Sequence, residues 1–226
     1  MKVLVIENAP GAPAGLFGTW LEQARGATLH TVTPETVPDA PGDEALIVSL
    51  GSPCGAYEDI PWIHRQRRLL GGAIAAGRPV VGICFGAQLI ATAIGGRATP
   101  FARRFVGWHE NAEVADPVWR GPWVRWHGDN LEVPDGTEVL ARDQGTVQAF
   151  QLGCALGVQF HPEADAAIVR DWATRTPGWL AENMLDPATL DRDSAANVGP
   201  GTAARHALFT EMLRRVGIAP IGIPPT

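Results

Sequence analysis

The sequence predicts an α/β fold in which helices cover both faces of a mostly parallel central sheet. In the N-terminal half, three short, continuously apolar segments alternate with longer segments that have helical character. Strands that are apolar on both sides and separated by helices are typical of a parallel sheet buried on both faces. The chain has 226 residues, 46% of them hydrophobic, and is therefore long enough to bury such a core.

The elements of the N-terminal half alternate between strand and helix. Strands are predicted over residues 3–7, 45–49 and 79–83, where the short apolar runs occur. Helices are predicted over residues 14–25, 62–76 and 86–94. The first has apolar residues along one face, the second begins beside Pro61 and stops at Gly77, and the third ends at two glycines.

The second half of the chain has a different pattern. Residues 137–142, 147–152 and 155–160 form short apolar runs separated by glycine-containing turns, which predicts β-strands. Residues 166–172 and 203–216 predict helices, with a polar surface loop over 186–201 between them and an extended, proline-rich tail over 219–226. We therefore expect one domain over residues 1–226, with a core over 1–163 and a C-terminal helical extension over 164–226.

Composition excludes several classes of protein. The net charge is -6 and no run of Lys or Arg stands out, which argues against nucleic acid as a partner. No apolar stretch approaches the ~20 residues that cross a bilayer, and an acidic residue occurs too early for a signal peptide. Cys54, Cys84 and Cys154 are odd in number and widely spaced, so we expect neither disulfides nor a metal site. A cytoplasmic location without a cofactor fits best.

One cysteine lies in a context that suits a catalytic nucleophile. The segment Gly82-Ile83-Cys84-Phe85-Gly86 joins a predicted strand to a predicted helix, which is the context of a nucleophile elbow. The glycines permit a tight turn, and the helix N-terminus points free amides at the sulfur, which favours a thiolate. A buried structural cysteine is the alternative, and the flanking glycines disfavour it.

A second motif supplies the partners that a thiol nucleophile needs. His161-Pro162-Glu163 follows a predicted strand, so the imidazole would reach the sulfur if the two strand ends are neighbours. Glu163 would accept the other ring N–H and fix the tautomer of His161. A surface turn is the alternative for this tripeptide taken alone. Together with the elbow, a Cys–His–Glu triad is favoured.

The two motifs resemble those of the class I, triad-type glutamine amidotransferases. The G-I-C-x-G-x-Q-L elbow and the Q-F-H-P-E segment are signatures of that family, and the similarity extends over about residues 1–163. The resemblance implies a flavodoxin-like, three-layer α/β/α sandwich. It also implies hydrolysis of glutamine to glutamate and ammonia through a γ-glutamyl thioester, with Cys84, His161 and Glu163 as the catalytic residues.

The resemblance extends to an oxyanion hole. Gly51 and Ser52 lie where the family carries a Gly-Gly-Pro loop, and Ser52 stands in place of a glycine. The N–H of Ser52, together with that of Phe85, would stabilise the oxyanion, each donor being worth ~3 kcal/mol. An ordinary Gly-Pro turn is the alternative for this segment.

Substrate-binding residues are also implied by the resemblance. Gln88 falls one helical turn after Cys84, at the position where the family contacts the substrate glutamine. Trp126-His127-Gly128-Asp129 resembles the S-H-G-D loop of the glutaminase domain of GMP synthase, whose backbone holds the α-amino-acid end of the substrate. For His127 and Asp129 alone, an exposed turn is the alternative.

Three functions are compatible with these residues. The leading hypothesis is a stand-alone glutamine amidotransferase that passes ammonia to a separate synthetase or acceptor protein, since no P-loop or pyrophosphatase-type loop is present. The first alternative is a hydrolase of γ-glutamyl amides or peptides. The second is a degenerate glutaminase-like domain that binds and regulates a partner.

Overall fold

A computed structural model describes residues 1–219, and the fold is built on an eight-stranded sheet. The strands are β1 (Lys2–Ile6), β2 (Thr28–Val32), β3 (Leu46–Ser49), β4 (Val80–Ile83), β5 (Arg97–His109), β6 (Glu113–Val114), β7 (Trp123–Glu132), β8 (Glu138–Asp143), β9 (Thr146–Leu152) and β10 (Ala155–Val158). The helices are α1 (Gly15–Arg25), α2 (Pro61–Ala75), α3 (Phe85–Ala93), α4 (Ala166–Arg175), α5 (Pro177–Glu182), α6 (Pro187–Asn197) and α7 (Thr202–Arg215).

The sheet has the strand order β2-β1-β3-β4-β10-β9-β8-β6. The first five strands in this order are parallel to one another, and the last three continue the sheet as antiparallel neighbours. The predicted parallel sheet is confirmed. Because β4 and β10 are adjacent and parallel, the segments that follow them emerge at the same edge of the sheet.

Helices cover both faces of the sheet and create three layers. Val3 and Val5 belong to a core cluster with residues of α1 and α7, whereas Leu4 and Ile6 belong to a second cluster with residues of α2 and α3. Successive side chains of a strand point to opposite faces, so β1 is buried on both sides. This packing explains why residues 3–6 of this strand are all apolar.

Strands β5 and β7 form a separate two-stranded antiparallel sheet, with an irregularity between Pro100 and Phe105. The C-terminal helices pack against this hairpin through a third apolar cluster. Its members include Val106 and Val124 from the hairpin, with Val169, Leu180 and Leu190 from α4, α5 and α6. The C-terminal extension therefore touches the hairpin that passes beside the site described below.

The prediction of a surface loop over residues 186–201 is wrong, because most of this segment forms helix α6. The side chain of Asp186 caps the helix by accepting a hydrogen bond from Thr189 N at 2.8 Å. Only Leu190 and Ser194 of this helix are buried. Because so few residues of α6 are buried, apolar residues do not recur at helical spacing, and the sequence pattern does not predict the helix.

Strands β2, β5, β6 and β7 and helix α5 were not predicted. Strand β2 lies at the sheet edge, and only Val32 of its five residues is buried, so no continuous apolar run marks it. The proline-rich tail predicted over residues 219–226 lies outside the described residues, except for its first residue. No helix in the described part of the chain has the length and apolar character to span a bilayer.

Candidate active site

The turn around Cys84 is a tight elbow between β4 and α3. Cys84 has φ 53° and ψ -109°, a strained conformation for a residue other than glycine. A Cβ on Gly86 would lie 2.0 Å from Ser49 O, and one on Gly82 would lie 2.5 Å from the backbone of Gly86. Only glycine fits at both positions, so the surrounding backbone holds Cys84 in this conformation.

Backbone hydrogen bonds anchor the elbow to its neighbours. Cys84 N donates to Val158 O at 2.8 Å, and Gly86 N donates to Leu50 O at 3.2 Å. Phe85 is the first residue of α3, so its N–H has no acceptor within the helix. The elbow therefore presents a backbone donor directly beside the sulfur.

His161 and Glu163 form a buried pair beyond the end of β10. The ring Nδ1 of His161 lies 2.7 Å from Glu163 Oε1, and both side chains are almost fully buried. His161 N donates to Val124 O at 2.7 Å, which fixes the backbone against β7. The ring also packs edge-on against Trp172 of α4, with 4.6 Å between centroids. With Nδ1 turned to Glu163, the second ring nitrogen is left for the sulfur.

The geometry around Gly51 shows that Cys84 and His161 converge. A Cβ added at Gly51 would lie 3.2 Å from His161 Cε1 and 4.0 Å from Cys84 Cβ. Adjacent strand ends therefore bring the two side chains together, as the sequence motifs required. Glycine at this position leaves space directly over the pair.

The electrostatic environment keeps the His161 ring charged. Burial lowers the pKa of His161, because a buried imidazolium loses hydration. Coulomb attraction to Glu163 and Cys84, with hydrogen bonds to the same two side chains, outweighs burial and raises the pKa of His161 from 6.5 to about 10. At neutral pH the ring is therefore an imidazolium.

Gln159 and the carbonyl oxygen of Trp126 lie against the sulfur of Cys84. Trp172 packs on the ring of His161. Gln159 Nε2 donates to Cys84 Sγ at 3.6 Å, and Sγ lies 4.0 Å from Trp126 O. Sequence reasoning missed Gln159, although it is the first residue of the Q-F-H-P-E segment. It also missed Trp172, whose Nε1 donates to Gly11 O at 2.7 Å. No local signal marks Trp172, because it lies on a helix in the extension.

The predicted oxyanion loop lies over the elbow. Leu50 anchors its start, since its N–H donates to Ile6 O at 3.1 Å and its carbonyl accepts from Asn8 Nδ2 at 2.8 Å. The Ser52 hydroxyl turns back into the loop and accepts a hydrogen bond from Cys54 N at 3.2 Å. The side chain of Ser52 is therefore engaged within the loop, as a local turn-forming group.

The predicted substrate-binding residues lie in two different environments. Gln88 is buried, and its Nε2 donates to Gln159 Oε1 at 3.3 Å. The segment expected to form an S-H-G-D loop is instead part of strand β7, where His127 pairs with Phe105 and Asp129 pairs with Pro100. Pairing with β5 makes this segment part of a sheet, and the residues of the segment alone do not predict that pairing.

Of this segment, His127 is the most enclosed residue. Its Nδ1 lies 3.0 Å from Asp129 O, and its ring stacks on Phe105 with 5.1 Å between centroids. Burial lowers the pKa of His127 to about 3, so the ring is neutral at ordinary pH. His127 therefore differs in charge from His161.

A cleft of about 380 Å³ opens between the loop that follows Ser52, strands β5 and β7, and helix α5. Gly128 and Asp129 line it together with Pro53 and Tyr57, whereas Cys84 and His161 do not. Asp129 Oδ1 accepts a hydrogen bond from Tyr57 Oη at 3.3 Å, and burial raises the pKa of Asp129. The cleft is bounded further by Gly55, Glu58, Pro100, Phe101, Ala102, Arg103, Arg104, Trp179 and Glu182. Among the described residues, no cluster of His, Cys, Asp and Glu is suited to hold a metal ion.

The fold and this cysteine–histidine–glutamate arrangement define a class I glutamine amidotransferase. The chain belongs to that family, because the model for "Glutamine amidotransferase class-I" matches residues 27–168. GMP synthase [glutamine-hydrolyzing] of Thermomicrobium roseum is 35% identical over 160 residues, covering 63% of this chain and 29% of that protein. The chain thus spans about a third of the length of the curated relatives it matches.

Solved structures show the same fold over nearly the whole chain. A glutamine amido transferase from Methylobacillus flagellatus has a TM-score of 0.84 at 23% identity, covering 100% of this chain and 98% of that one. A glutamine amidotransferase from Thermotoga maritima has a TM-score of 0.82 at 22% identity, covering 94% and 98%. At these identities the likeness establishes the flavodoxin-like fold and not the substrate.

Proposed function

We propose that this chain hydrolyses the side-chain amide of glutamine through a thioester on Cys84. The observation that carries the proposal is the buried contact of 2.7 Å between His161 Nδ1 and Glu163 Oε1, beside the strained elbow of Cys84. That contact leaves the other ring nitrogen to exchange a proton with the sulfur and the substrate. The raised pKa of His161 favours the imidazolium form of the ring, whose charge would stabilise a negative sulfur on Cys84.

The proposed reaction has two halves that share one proton carrier. The thiolate of Cys84 attacks the amide carbon of glutamine, and a tetrahedral oxyanion forms. Its collapse breaks the C–N bond, and the imidazolium of His161 protonates the departing nitrogen, which leaves as ammonia. Water then attacks the thioester while the neutral imidazole accepts its proton. The C–S bond breaks, glutamate leaves and the ion pair is restored.

We assign stabilisation of the oxyanion to two backbone amides. Phe85 N stands free at the start of α3, and Ser52 lies on the loop over the elbow. Each such donor contributes ~3 kcal/mol to the transition state. The buried Oε1 of Gln88 has no hydrogen-bond partner among the described residues. It is therefore available as an acceptor for the NH₂ group of the substrate, and Gly128 and Asp129 would hold the amino-acid end.

We further propose that the ammonia passes to a separate synthetase or acceptor protein. The relatives named GMP synthase [glutamine-hydrolyzing] support this, because the chain matches about a third of their length. The acceptor need not be that of the relatives. If docking of the acceptor protein turned the backbone N–H of Ser52 towards the oxyanion, it would also accelerate hydrolysis.

The cleft supports a second candidate function. Its volume of about 380 Å³ falls within the range of small-molecule sites, and it is lined by Gly128 and Asp129, which would hold the amino-acid end of the substrate. A γ-glutamyl amide or peptide with a larger amine as leaving group is therefore the alternative substrate. The family and the proposed thioester chemistry are the same for both.

One experiment distinguishes these functions. Glutamine and γ-glutamyl-p-nitroanilide are each offered to the wild type and to Cys84→Ala, with Cys154→Ala as control. Cys154 is a partly buried thiol whose Sγ contacts Ile74 O at 3.7 Å, away from the elbow. We expect glutamine turnover by the wild type and the control, and none by Cys84→Ala. Diazo-oxo-norleucine should label Cys84 alone, as mapped by mass spectrometry.

Each outcome selects one function. Labelling of Cys54 or Cys154 in place of Cys84 would contradict the assigned nucleophile. Faster cleavage of the anilide than of glutamine would favour the γ-glutamyl hydrolase. If Cys84 is neither labelled nor active, with and without cell extract, the chain acts as a binding or regulatory domain. Stimulation of glutamine hydrolysis by an extract fraction would support an acceptor protein.

A further inference from the structure

Gln159 is a buried amide that directly contacts the sulfur of Cys84. It follows β10 and is 1% exposed, and its Nε2 donates to Cys84 Sγ at 3.6 Å. Its backbone N–H donates to Gln148 O at 2.8 Å, which fixes the residue against β9. The carbonyl oxygen of Trp126, 4.0 Å from the sulfur, is an acceptor and cannot stabilise a negative sulfur.

The orientation of the Gln159 amide is set by a second buried amide. Gln88 Nε2 donates to Gln159 Oε1 at 3.3 Å, and Gln88 is 2% exposed. Since Gln159 Oε1 is occupied by this donor, its NH₂ group turns towards the sulfur. The reverse orientation would place two NH₂ groups against each other and an oxygen lone pair against a thiolate.

We propose that Gln159 is a further catalytic residue, whose NH₂ group stabilises the thiolate of Cys84, and that Gln88 positions it. The inference rests on the proposed thioester chemistry. Before attack, the donated hydrogen bond holds the negative charge on the sulfur opposite His161. When the C–S bond forms, the charge moves to the substrate oxygen. When the thioester is hydrolysed, the same donor favours departure of the sulfur as thiolate.

The charged groups that face the sulfur are few. His161 lies on one side, with Glu163 behind it, and Gln159 supplies a neutral donor on another. A hydrogen bond to a charged group contributes more than one between neutral groups, and its loss changes an equilibrium by about tenfold or more. Removal of the donor should therefore reduce the thiolate population measurably.

The test measures alkylation of Cys84 by iodoacetamide as a function of pH, without glutamine. Mass spectrometry resolves the rates at Cys84, Cys54 and Cys154, so the last two serve as internal references. For Gln159→Met, which lacks the donor, we expect the half-maximal pH at Cys84 to rise by about one unit, corresponding to a tenfold loss. Gln159→Glu should raise it further, because a carboxylate would face the thiolate. Gln88→Met should give a smaller rise.

Gln148→Met is the matched control. Gln148 is an equally buried glutamine on the adjacent strand, but its Nε2 donates to Thr146 Oγ1 at 2.8 Å and does not contact the sulfur. It should leave the alkylation profile of Cys84 unchanged, even if it lowers stability. An unchanged profile in folded Gln159→Met would overturn the proposal. If Gln159→Met does not fold, Gln159→Leu, which also lacks the donor and adds no charge, replaces it in the same measurement.

Hydrolysis is measured separately on the same variants. A shifted alkylation profile, together with absence of glutamine turnover in the wild type, would retain the role of Gln159 and reject the proposed substrate. Normal glutamine turnover with an unshifted alkylation profile would retain the proposed substrate and reject the role of Gln159. With both intact, we expect kcat/KM for glutamine to fall about tenfold in Gln159→Met.

Discussion

Cys84 and His161 lie beside each other but are held by two differently built regions. Cys84 is fixed by close backbone packing, because Gly82 and Gly86 allow the elbow to close against Ser49 while Cys84 N bonds to Val158 O. His161 is fixed by remote segments: its backbone bonds to Val124 and its ring packs on Trp172.

The difference explains how each half of the site responds to change. At the elbow, adding a single methyl group forces backbone atoms into collision, so the cost is steric and immediate. Around His161, each contact contributes separately through charge or packing, so the losses are graded. The predictions below test that contrast.

The largest effect is expected at the charged pair. His161→Ala should reduce glutamine hydrolysis by about six orders of magnitude, because nucleophile and base act as one unit. Glu163→Gln should reduce it by about four orders of magnitude, since Glu163 orients the ring and transfers no proton. Steady-state assays under matched conditions measure both. A larger loss for Glu163→Gln than for His161→Ala would show that the assigned roles are wrong.

Gly86→Ala tests the steric region. Its Cβ would lie 2.0 Å from Ser49 O, so we expect the free energy of unfolding to fall by about 3 kcal/mol, with loss of activity. Gly72→Ala is the control, because no atom lies within 4 Å of the added Cβ on helix α2. It should raise stability by about 0.5–1 kcal/mol. Equal urea-unfolding curves for the two variants would contradict the steric account.

Trp172→Ala tests the remote support of His161. It removes the ring at 4.6 Å and the hydrogen bond to Gly11 O, and we expect hydrolysis to fall about tenfold. Trp108→Ala is the control, since this partly buried indole packs on the same cluster and bonds to Ser194 Oγ at 3.3 Å. It should lower the melting temperature without a comparable loss of hydrolysis. Equal losses of activity would remove Trp172 from the site.

The last prediction concerns pH and the stability of the fold. The pKa of His161 is about 10 in the folded chain against an ordinary 6.5, so proton binding favours folding. That stabilisation is complete below about pH 6.5 and is lost as the pH rises through about 10. The difference in unfolding free energy between wild type and His161→Gln should therefore shrink over this range. A constant difference in urea titrations would argue against a charged ring.

Sequence patterns predicted the elements that are buried on both sides. Strands β1, β3 and β4 are apolar apart from Lys2 and Ser49 at strand ends, since helices cover both of their faces. A search for apolar runs does not detect β2, because this strand lies at the sheet edge and most of its residues are exposed. It does not detect α6 either, because this helix buries only Leu190 and Ser194. The pairing of β5 with β7 was missed because exposed polar residues interrupt β5 and leave no continuous apolar run or regular alternation over its first part.

The candidate site divides in the same way. The elbow of Cys84 could be inferred from local sequence, because its tight turn requires glycine at positions 82 and 86. The pair His161 and Glu163 could be inferred as well, because the two residues are only two positions apart. The sequence carried no local sign that Trp172 would pack on the imidazole. Nor did it show that two buried amides would meet at the sulfur. Those contacts arise from the adjacency of β4, β10 and β7, which depends on packing of the whole chain.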